Sequence, residues 1–517
     1  MIARTAAGDG ALERASASFA EALAAAPTNR AVAENALGHS LVAGDRALAL
    51  RAATVLAGLG DTSPEVRLML LGEALRTNEW RSANAQVDEL AKDEVFAFMA
   101  PVMRAWIAHG ARRGDPFELL DSADTDPLAR AFVGESRALL SVARDRRGGA
   151  ALLAQVADSS GIRGQRLRIA GAALLARRGD RGEALALLEG PGDALAQARQ
   201  MVQQRRRIPG EISTAGAGIG EFLARLSVDL NAQEVRPLAL AFARIATFLD
   251  PENSEAALIV AELLLEGQRH DAALAALRQV RSDDPFATTA RDHRARLLLD
   301  SGRREAALDE ARAASEREGA GLADWTRLGD LHLQLGRPAE AAAAYVRAIA
   351  LAGDGGDPPL WQLHLAHAAA LEQAGDWPAA KAALESAYRI APTEPQVLND
   401  LGYLQLERRE NIAEATRLVA EAHRLAPESP AITDSLGWAH YLAGDLPRAI
   451  ELLESAAQRA PADIEINEHL GDAYYRAGRR IEARFAWKAA LVYAADEDAQ
   501  RIRTKIDSGL APVLAAR

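Results

Sequence analysis

The sequence predicts an all-α protein in which a two-helix unit is repeated along the chain as a solenoid. Ala and Leu, which favour helices, are abundant, whereas aromatic residues, which favour strands, make up only 5%. Prolines that follow helix-like segments recur at a fixed spacing: Pro251 and Pro285 are 34 residues apart, as are Pro427 and Pro461. Such a period is typical of one supersecondary unit stacked many times.

Residues 431–461 illustrate how one unit is built. Gly437 lies on the first predicted helix, Gly444 in the turn, and Ala449 and Ala456 on the second helix. A glycine in the turn supplies the positive φ that ends a helix. The small residues on the two helices let their backbones approach closely, so we expect the pair to pack tightly.

These units resemble the tetratricopeptide repeat (TPR). Its pattern is carried by Trp325-x2-Leu328-Gly329-x2-His332 followed by Ala341-x3-Tyr345-x2-Ala348, and again by Leu470-Gly471-x2-Tyr474 with Ala483-x3-Trp487. The C-terminal run is similar to that of long bacterial TPR proteins of unsettled role. That resemblance implies a TPR α-solenoid that serves as a binding scaffold, often exported or envelope-associated, and implies no reaction.

The repeat pattern divides the chain into four segments. We expect about 13–14 repeats, of which those in residues 1–195 are degenerate and those in 220–495 are regular. Residues 196–219 are rich in Gly and include Pro209, and both residue types break helices, so a linker or hinge is predicted there. A capping helix and tail are predicted at 496–517.

The composition argues against several classes of function. The 517 residues carry 60 Lys and Arg against 72 Asp and Glu, a net charge of −12. A general nucleic-acid binder needs excess cations to displace counterions from phosphates, so no nucleic-acid partner is expected. The absence of Cys removes disulfides, thiol nucleophiles and cysteine-based metal clusters.

The sequence also bears on the compartment. No apolar stretch approaches the roughly 20 residues of a membrane span, and no signal-peptide-like run opens the chain. The sequence as given therefore predicts a cytoplasmic protein without a transmembrane segment.

Ala15, Phe19 and Pro27 fit the second helix of a repeat, so the chain starts inside a unit. Either the terminal helix is frayed or the native chain begins upstream. An export signal there would make the protein periplasmic or envelope-located.

No motif predicts a catalytic site, a metal site or a cofactor. Gly216-x-Gly218-x-Gly220 has neither the spacing nor the preceding strand of a dinucleotide-binding loop. His364 and His367 could offer two metal ligands, but no acidic residue follows at ligand spacing, and helix packing explains them. An enzyme with an unrecognised site in 64–195 is the alternative from another class.

The predicted function is a non-catalytic scaffold that binds a partner protein or peptide. First helices line the concave surface of a TPR stack, and the repeat phase places eight residues there: Asn399, Tyr403, Asp434, Trp438, Tyr441, Glu468, Asp472 and Tyr475. Aromatic and acidic side chains suit a peptide with apolar and basic groups. Alternatively, Trp438 and Tyr441 only pack between neighbouring repeats.

An accessory of envelope assembly or secretion is the alternative function within the class of binding scaffolds. The sequence leaves the partner and the oligomeric state open.

Overall fold

The structure is a computed structural model that describes residues 12–123, 127–157, 161–317, 320–353 and 358–510. These residues form 29 α-helices and contain no strand, which confirms the all-α prediction. The chain divides into two compact units, Met1–Ala307 (unit 1) and Leu308–Arg517 (unit 2). The predicted tail beyond residue 510 lies outside the described residues.

Seven helix pairs and four further helices make up unit 1. Its helices are α1 (Leu12–Ala25), α2 (Arg30–Ala43), α3 (Arg46–Gly58), α4 (Pro64–Arg76), α5 (Trp80–Leu90), α6 (Ala100–Ala111), α7 (Pro116–Asp121), α8 (Pro127–Ala143), α9 (Gly149–Val156), α10 (Ile162–Arg178), α11 (Arg181–Leu187), α12 (Asp193–Gln203), α13 (Ala215–Ala232), α14 (Arg236–Leu249), α15 (Ser254–Glu266), α16 (His270–Leu277), α17 (Ala287–Asp300) and the start of α18 (Arg304–Glu316). The pairs are α2–α3, α4–α5, α6–α7, α8–α9, α10–α11, α13–α14 and α15–α16.

Unit 2 contains five consecutive pairs followed by one further helix. Its helices are α19 (Leu322–Gln334), α20 (Pro338–Leu351), α21 (Leu360–Gln373), α22 (Trp377–Ile390), α23 (Pro395–Arg408), α24 (Ile412–Leu425), α25 (Pro430–Ala443), α26 (Leu446–Arg459), α27 (Ile464–Arg476), α28 (Arg480–Tyr493) and α29 (Asp496–Ser508). Each odd-numbered helix from α19 to α27 pairs with the next one, in the order expected of a TPR solenoid.

Local signals set the helix ends in the pair α25–α26. The backbone N–H of Ile432 donates to the side chain of Ser429, which caps the start of α25. Gly444 ends α25 with φ 82°, a conformation that costs a residue with a Cβ more than glycine. The next residue, Asp445, caps α26. The absence of a side chain on Gly437 is equally necessary, because a Cβ there would lie 2.8 Å from Leu453 Cγ.

The first helices of the N-terminal pairs are covered by the chain itself. Helix α13 packs against α6 and α8, and α14 packs against α2 and α4. Phe222 on α13 meets Phe132 edge-on, with ring centroids 5.4 Å apart, and Phe242 on α14 meets Phe96 at 6.3 Å. The pair α13–α14 therefore occupies the surface that first helices would otherwise present within this part of unit 1.

The predicted linker at 196–219 does not separate the two units, which divide at 307/308 instead. Pro209 and Gly210 do interrupt the helices, since residues 204–214 are not helical. The interruption is nevertheless held inside unit 1: Arg166 donates to the Gly210 carbonyl at 2.7 Å. Gly218, counted as a breaker in the sequence, lies within α13, where a Cβ would come within 2.0 Å of the Trp106 ring.

Buried charges fasten the same region. Arg166 and Glu221, each with only 2% of its side chain exposed, form an ion pair at 3.1 Å, and Arg163 adds an ion pair to Glu255 at 2.7 Å. Breaking such a pair leaves an uncompensated buried charge, which typically costs about 3–5 kcal/mol. These contacts join α10 to α13 and α15 across the glycine-rich sequence.

Candidate functional site

The predicted site lies on the first helices of unit 2. Helices α23, α25 and α27 contact one another from pair to pair, whereas the second helices of successive pairs contact one another less. The first helices therefore line the inner face of this stack. We call the surface formed by α21, α23, α25 and α27 the inner face of unit 2.

Trp438 is the centre of an aromatic stack on this face. Its ring lies 4.5 Å from Tyr441 and 4.0 Å from His469, with interplanar angles of 12° and 14°. His469 Nδ1 donates to Asp434 Oδ2 at 2.9 Å. Burial alone would lower the pKa of His469, but the charge of Asp434 and this hydrogen bond raise it to about 9. A protonated imidazole under Trp438 gains a cation–π contribution.

Helix α29 neutralises two of the predicted acidic residues. Arg501 pairs with Glu468 at 2.7 Å, and Lys505 Nζ lies 2.7 Å from carboxylate oxygens of both Glu468 and Asp472. The indole N–H of Trp487 also donates to Asp472 at 2.8 Å. Although burial opposes ionisation, the hydrogen bonds and charges of Arg501 and Lys505 lower the pKa of Glu468 to about 2. Both carboxylates are thus already engaged within the chain.

The remaining predicted residues are partly accessible. Tyr403 donates its hydroxyl to Glu465, and Asn399 donates to Asp400 at 3.3 Å. Tyr475 is half-buried beside Trp487, with ring centroids 5.5 Å apart. Half of the eight predicted residues are half-buried, namely Asn399, Tyr403, Trp438 and Tyr475, and the other half are buried, namely Asp434, Tyr441, Glu468 and Asp472.

A second group of carboxylates on this face was missed in the sequence. Burial raises the pKa of Glu372, and the charges of Asp400, Glu407 and Glu465 raise it further. Burial also raises the pKa of Asp400 to about 6. Within the described part of the chain, no cation lies at ion-pair distance from any of these four acids. One signal was present: Glu372 and Glu407 are 35 residues apart, at equivalent ends of α21 and α23.

The outer side of unit 2 carries an apolar stripe that sequence reasoning also missed. Ile481, Phe485 and Val492 on α28 have 72%, 68% and 73% of their surface exposed. Their spacing of four and seven residues places them on one side of the helix. Exposed apolar groups of this kind can mark an interaction surface, so the stripe competes with the inner face as a partner site.

No helix in the described ranges combines the length and apolarity needed to cross a bilayer. Nor do these ranges bring three or more His, Asp or Glu side chains together as metal ligands.

Comparison with known proteins identifies the repeat. Residues 325–354 match the family model of the tetratricopeptide repeat. No curated protein matches the chain. Among solved structures, a tetratricopeptide repeat protein from Parabacteroides merdae is 12% identical with a TM-score of 0.40, and the alignment covers 49% of this chain and 97% of that one.

Two further solved structures are similar over smaller parts. MamA from Desulfovibrio magneticus is 19% identical with a TM-score of 0.28, covering 34% of this chain and 97% of that one. The C-terminal part of a TPR repeat-containing protein from Cytophaga hutchinsonii is 18% identical with a TM-score of 0.32, covering 47% and 97%. The match shows a tetratricopeptide repeat at residues 325–354, and the helix pairs of unit 2 continue the same two-helix arrangement.

Proposed function

We propose that this protein is a non-catalytic interaction scaffold that binds a partner protein or peptide along the inner face of unit 2. One observation carries the proposal. The pair α13–α14 covers the first helices of the N-terminal pairs, whereas the inner face of unit 2 presents half-buried aromatic rings and carboxylates for which the described residues provide no cationic partner. Aromatic residues concentrate binding energy at protein interfaces, and TPR folds serve as binding scaffolds.

The partner segment that fits this face is basic. Glu407 and Glu465 are exposed and, among the described residues, lack a cationic partner. Asp400 is less accessible, and its raised pKa reflects a carboxylate that burial destabilises and no neighbouring cation stabilises. A Lys or Arg of a bound peptide would supply that cation, and opposite charges across an interface speed encounter and select partners.

Under this proposal, the acidic residues predicted from the sequence are not the ones that attract the partner. Asp434, Glu468 and Asp472 have internal partners, so we assign them to holding α25, α27 and α29 together. Asn399, Tyr403, Trp438 and Tyr475 are left as the candidate contact residues for the partner. The attraction for a basic segment then comes chiefly from Glu407 and Glu465.

Affinity capture with the intact chain tests the proposal. Glu407→Lys should abolish capture, because it reverses an exposed charge on the inner face that has no cationic partner among the described residues. Glu428→Lys is the matched control, since it makes the same charge change in the turn between α24 and α25. Circular dichroism should be identical for both variants.

Each other result argues against the inner face. Equal loss in both variants would indicate that net charge, rather than a site, governs capture. Loss in Phe485→Glu combined with normal capture by Glu407→Lys would place the partner on the outer stripe of α28. Normal capture by all three variants would remove unit 2 as the binding region.

A further inference from the structure

Unit 1 contains a large open cavity that the scaffold role does not use. Its volume is about 990 Å³, near the upper end of the roughly 300–1,000 Å³ typical of small-molecule sites. The carboxyl ends of α4, α6, α8 and α10 converge on it, together with the first turn of α13 and the end of α14. All of these elements belong to one compact unit.

Arginines dominate the charged lining. Six of them face the cavity, against one carboxylate, Asp145: Arg46, Arg76, Arg112, Arg144, Arg177 and Arg178. Several recur at the carboxyl ends of successive first helices, as Arg144 and Arg178 do, 34 residues apart. A basic cavity of this kind contrasts with the net charge of −12 of the whole chain.

Helix capping explains part of this cluster. Arg178 donates to the Val142 carbonyl at 2.5 Å, and Arg144 donates to the Ala108 carbonyl at 3.4 Å, so each satisfies the end of the preceding first helix. Cations are favourable at helix carboxyl ends, and one arginine for each helix would suffice for that purpose. The number of arginines that share one cavity exceeds this need.

Nearby carboxylates leave the cavity with excess positive charge. Glu73 is shared by Arg46 and Arg76, at 2.6 Å from Arg46. Glu211 pairs with Arg177 at 2.7 Å, and Asp145 lies 3.5 Å from Arg178. In the described ranges, Arg112 and Arg144 have no carboxylate at ion-pair distance. Three carboxylates therefore pair with four of the six arginines.

The excess positive charge of the cavity affects the pKa of His109. Burial lowers the pKa of His109, and the charges of Arg144, Arg112 and Arg178 lower it further. Its ring is already engaged, since Arg144 Nε donates to Nδ1 at 3.1 Å and Nε2 donates to the Ser213 carbonyl at 3.2 Å. The imidazole is therefore neutral, and the positive charge of the cavity comes from the arginines.

The first turn of α13 adds hydrogen-bond donors to the same space. Thr214 caps this 18-residue helix by accepting from Ala217, and among the described residues no acceptor meets the backbone N–H groups of Ala215 and Gly216. Such amides, at the positive end of a helix, bind oxyanions readily. Trp80 and Leu249 provide apolar surface beside them.

We propose that this cavity binds a small molecule that carries two or more oxyanion charges, as phosphate or carboxylate groups. Arg112 and Arg144 would contact the oxyanions, because guanidinium groups match the two-oxygen geometry of both chemistries. The amides that open α13 would bind a further oxygen, and the uncharged part of the ligand would lie against Trp80 and Leu249. This site is independent of the partner site proposed for unit 2.

Isothermal titration calorimetry on the intact chain tests the proposal, with inorganic pyrophosphate and citrate as probes at constant ionic strength. At least one probe should bind with a stoichiometry of one. Arg112→Gln should weaken that binding about tenfold or more, since it removes a charged contact but no ion pair. Arg113→Gln, which changes an exposed neighbour outside the lining, should leave the affinity unchanged.

The two probes separate the possible chemistries. Tighter binding of pyrophosphate would support a phosphate compound as the natural ligand, and tighter binding of citrate a carboxylate. Absence of binding by both probes at millimolar concentration would overturn the proposal, as would equal weakening by Arg112→Gln and Arg113→Gln. Binding of an oligoglutamate peptide without binding of either small anion would also overturn it, because the cavity would then dock an acidic protein segment.

Discussion

Replacing Asp434 by Asn should destabilise α25 and α27 in a strongly pH-dependent way. Asp434 and His469 form a buried pair in which Nδ1 donates to Oδ2 at 2.9 Å, and both side chains are less than a tenth exposed. The sequence suggested that Asp434 attracts a basic partner. The structure instead gives this carboxylate an internal cation, so its removal should change stability before it changes binding.

The magnitude follows from the pKa of His469. That pKa is raised to about 9 from the ordinary value of 6.5. A shift of 2.5 units, at about 1.4 kcal/mol for each unit, corresponds to about 3 kcal/mol of stability. Because the pKa is raised on folding, this contribution is fully present below pH 6.5 and is lost as the pH rises through 9. Asn leaves burial as the main influence on His469, so the variant should lack this dependence.

Hydrogen exchange of amides in residues 430–476, corrected for intrinsic rates, measures this effect locally. The wild-type protein should be better protected than Asp434→Asn at pH 6, by about 3 kcal/mol in opening free energy, and the difference should approach zero above pH 9. Glu428→Gln, which neutralises an exposed carboxylate, is the control and should follow the wild type. The same pH profile in all three proteins would show that Asp434 does not hold the charge of His469.

Three further changes have definite expected outcomes. Gly471→Ala should lower stability by about 1–3 kcal/mol in thermal unfolding, because its Cβ would lie 2.3 Å from Cδ1 of buried Trp487. Gly38→Ala is the control and should leave stability unchanged, because a Cβ there would have no atom within 4 Å. Equal melting temperatures of the two variants would contradict the packing at Gly471. Lys505→Glu should release α29 and make it sensitive to limited proteolysis, because the new negative charge would lie beside Glu468 and Asp472, with which Lys505 now pairs. Unchanged resistance to the protease would refute this. Burial raises the pKa of Asp250 from 3.8 to about 6, so the stabilisation of unit 1 by Asp250→Asn should be complete above pH 6, shrink as the pH falls towards 3.8 and vanish below it. A loss of stability at high pH would show instead that the pairing of Asp250 with arginine dominates.

The helix pairs of unit 2 could be predicted because their determinants are local. Caps such as Ser429 and Asp445, the turn glycine Gly444 and the small residue Gly437 all act within one repeat. A period of about 34 residues then places equivalent residues at equivalent positions, so the sequence also identified which helices come first in each pair.

Contacts between distant repeats could not be predicted from the sequence. Nothing near Phe96 or Phe242 indicates that they meet, since they are separated by more than four repeats, and their contact brings α14 over the N-terminal helices. The same reason applies to Arg166 and Gly210, whose hydrogen bond connects the predicted linker to α10.

The repeat phase predicted which helices carry the candidate residues, but not which contacts those residues make. The repeat phase put Trp438 and Asp434 on the correct helix, yet it could not show that His469 of the next repeat completes both the stack and the ion pair. Similarly, Lys505 was assigned to a capping helix, while its pairing with Asp472 depends on how that helix docks. Side chains that cross from one repeat to the next decide which acids are free.

Site-specific photo-crosslinking measures directly where the partner binds. A photoreactive residue at position 407, exposed on the inner face of unit 2, should crosslink to the captured partner. The same residue at position 485, on the outer stripe of α28, should not. Crosslinks from 485 without crosslinks from 407 would contradict the proposal that the inner face binds the partner.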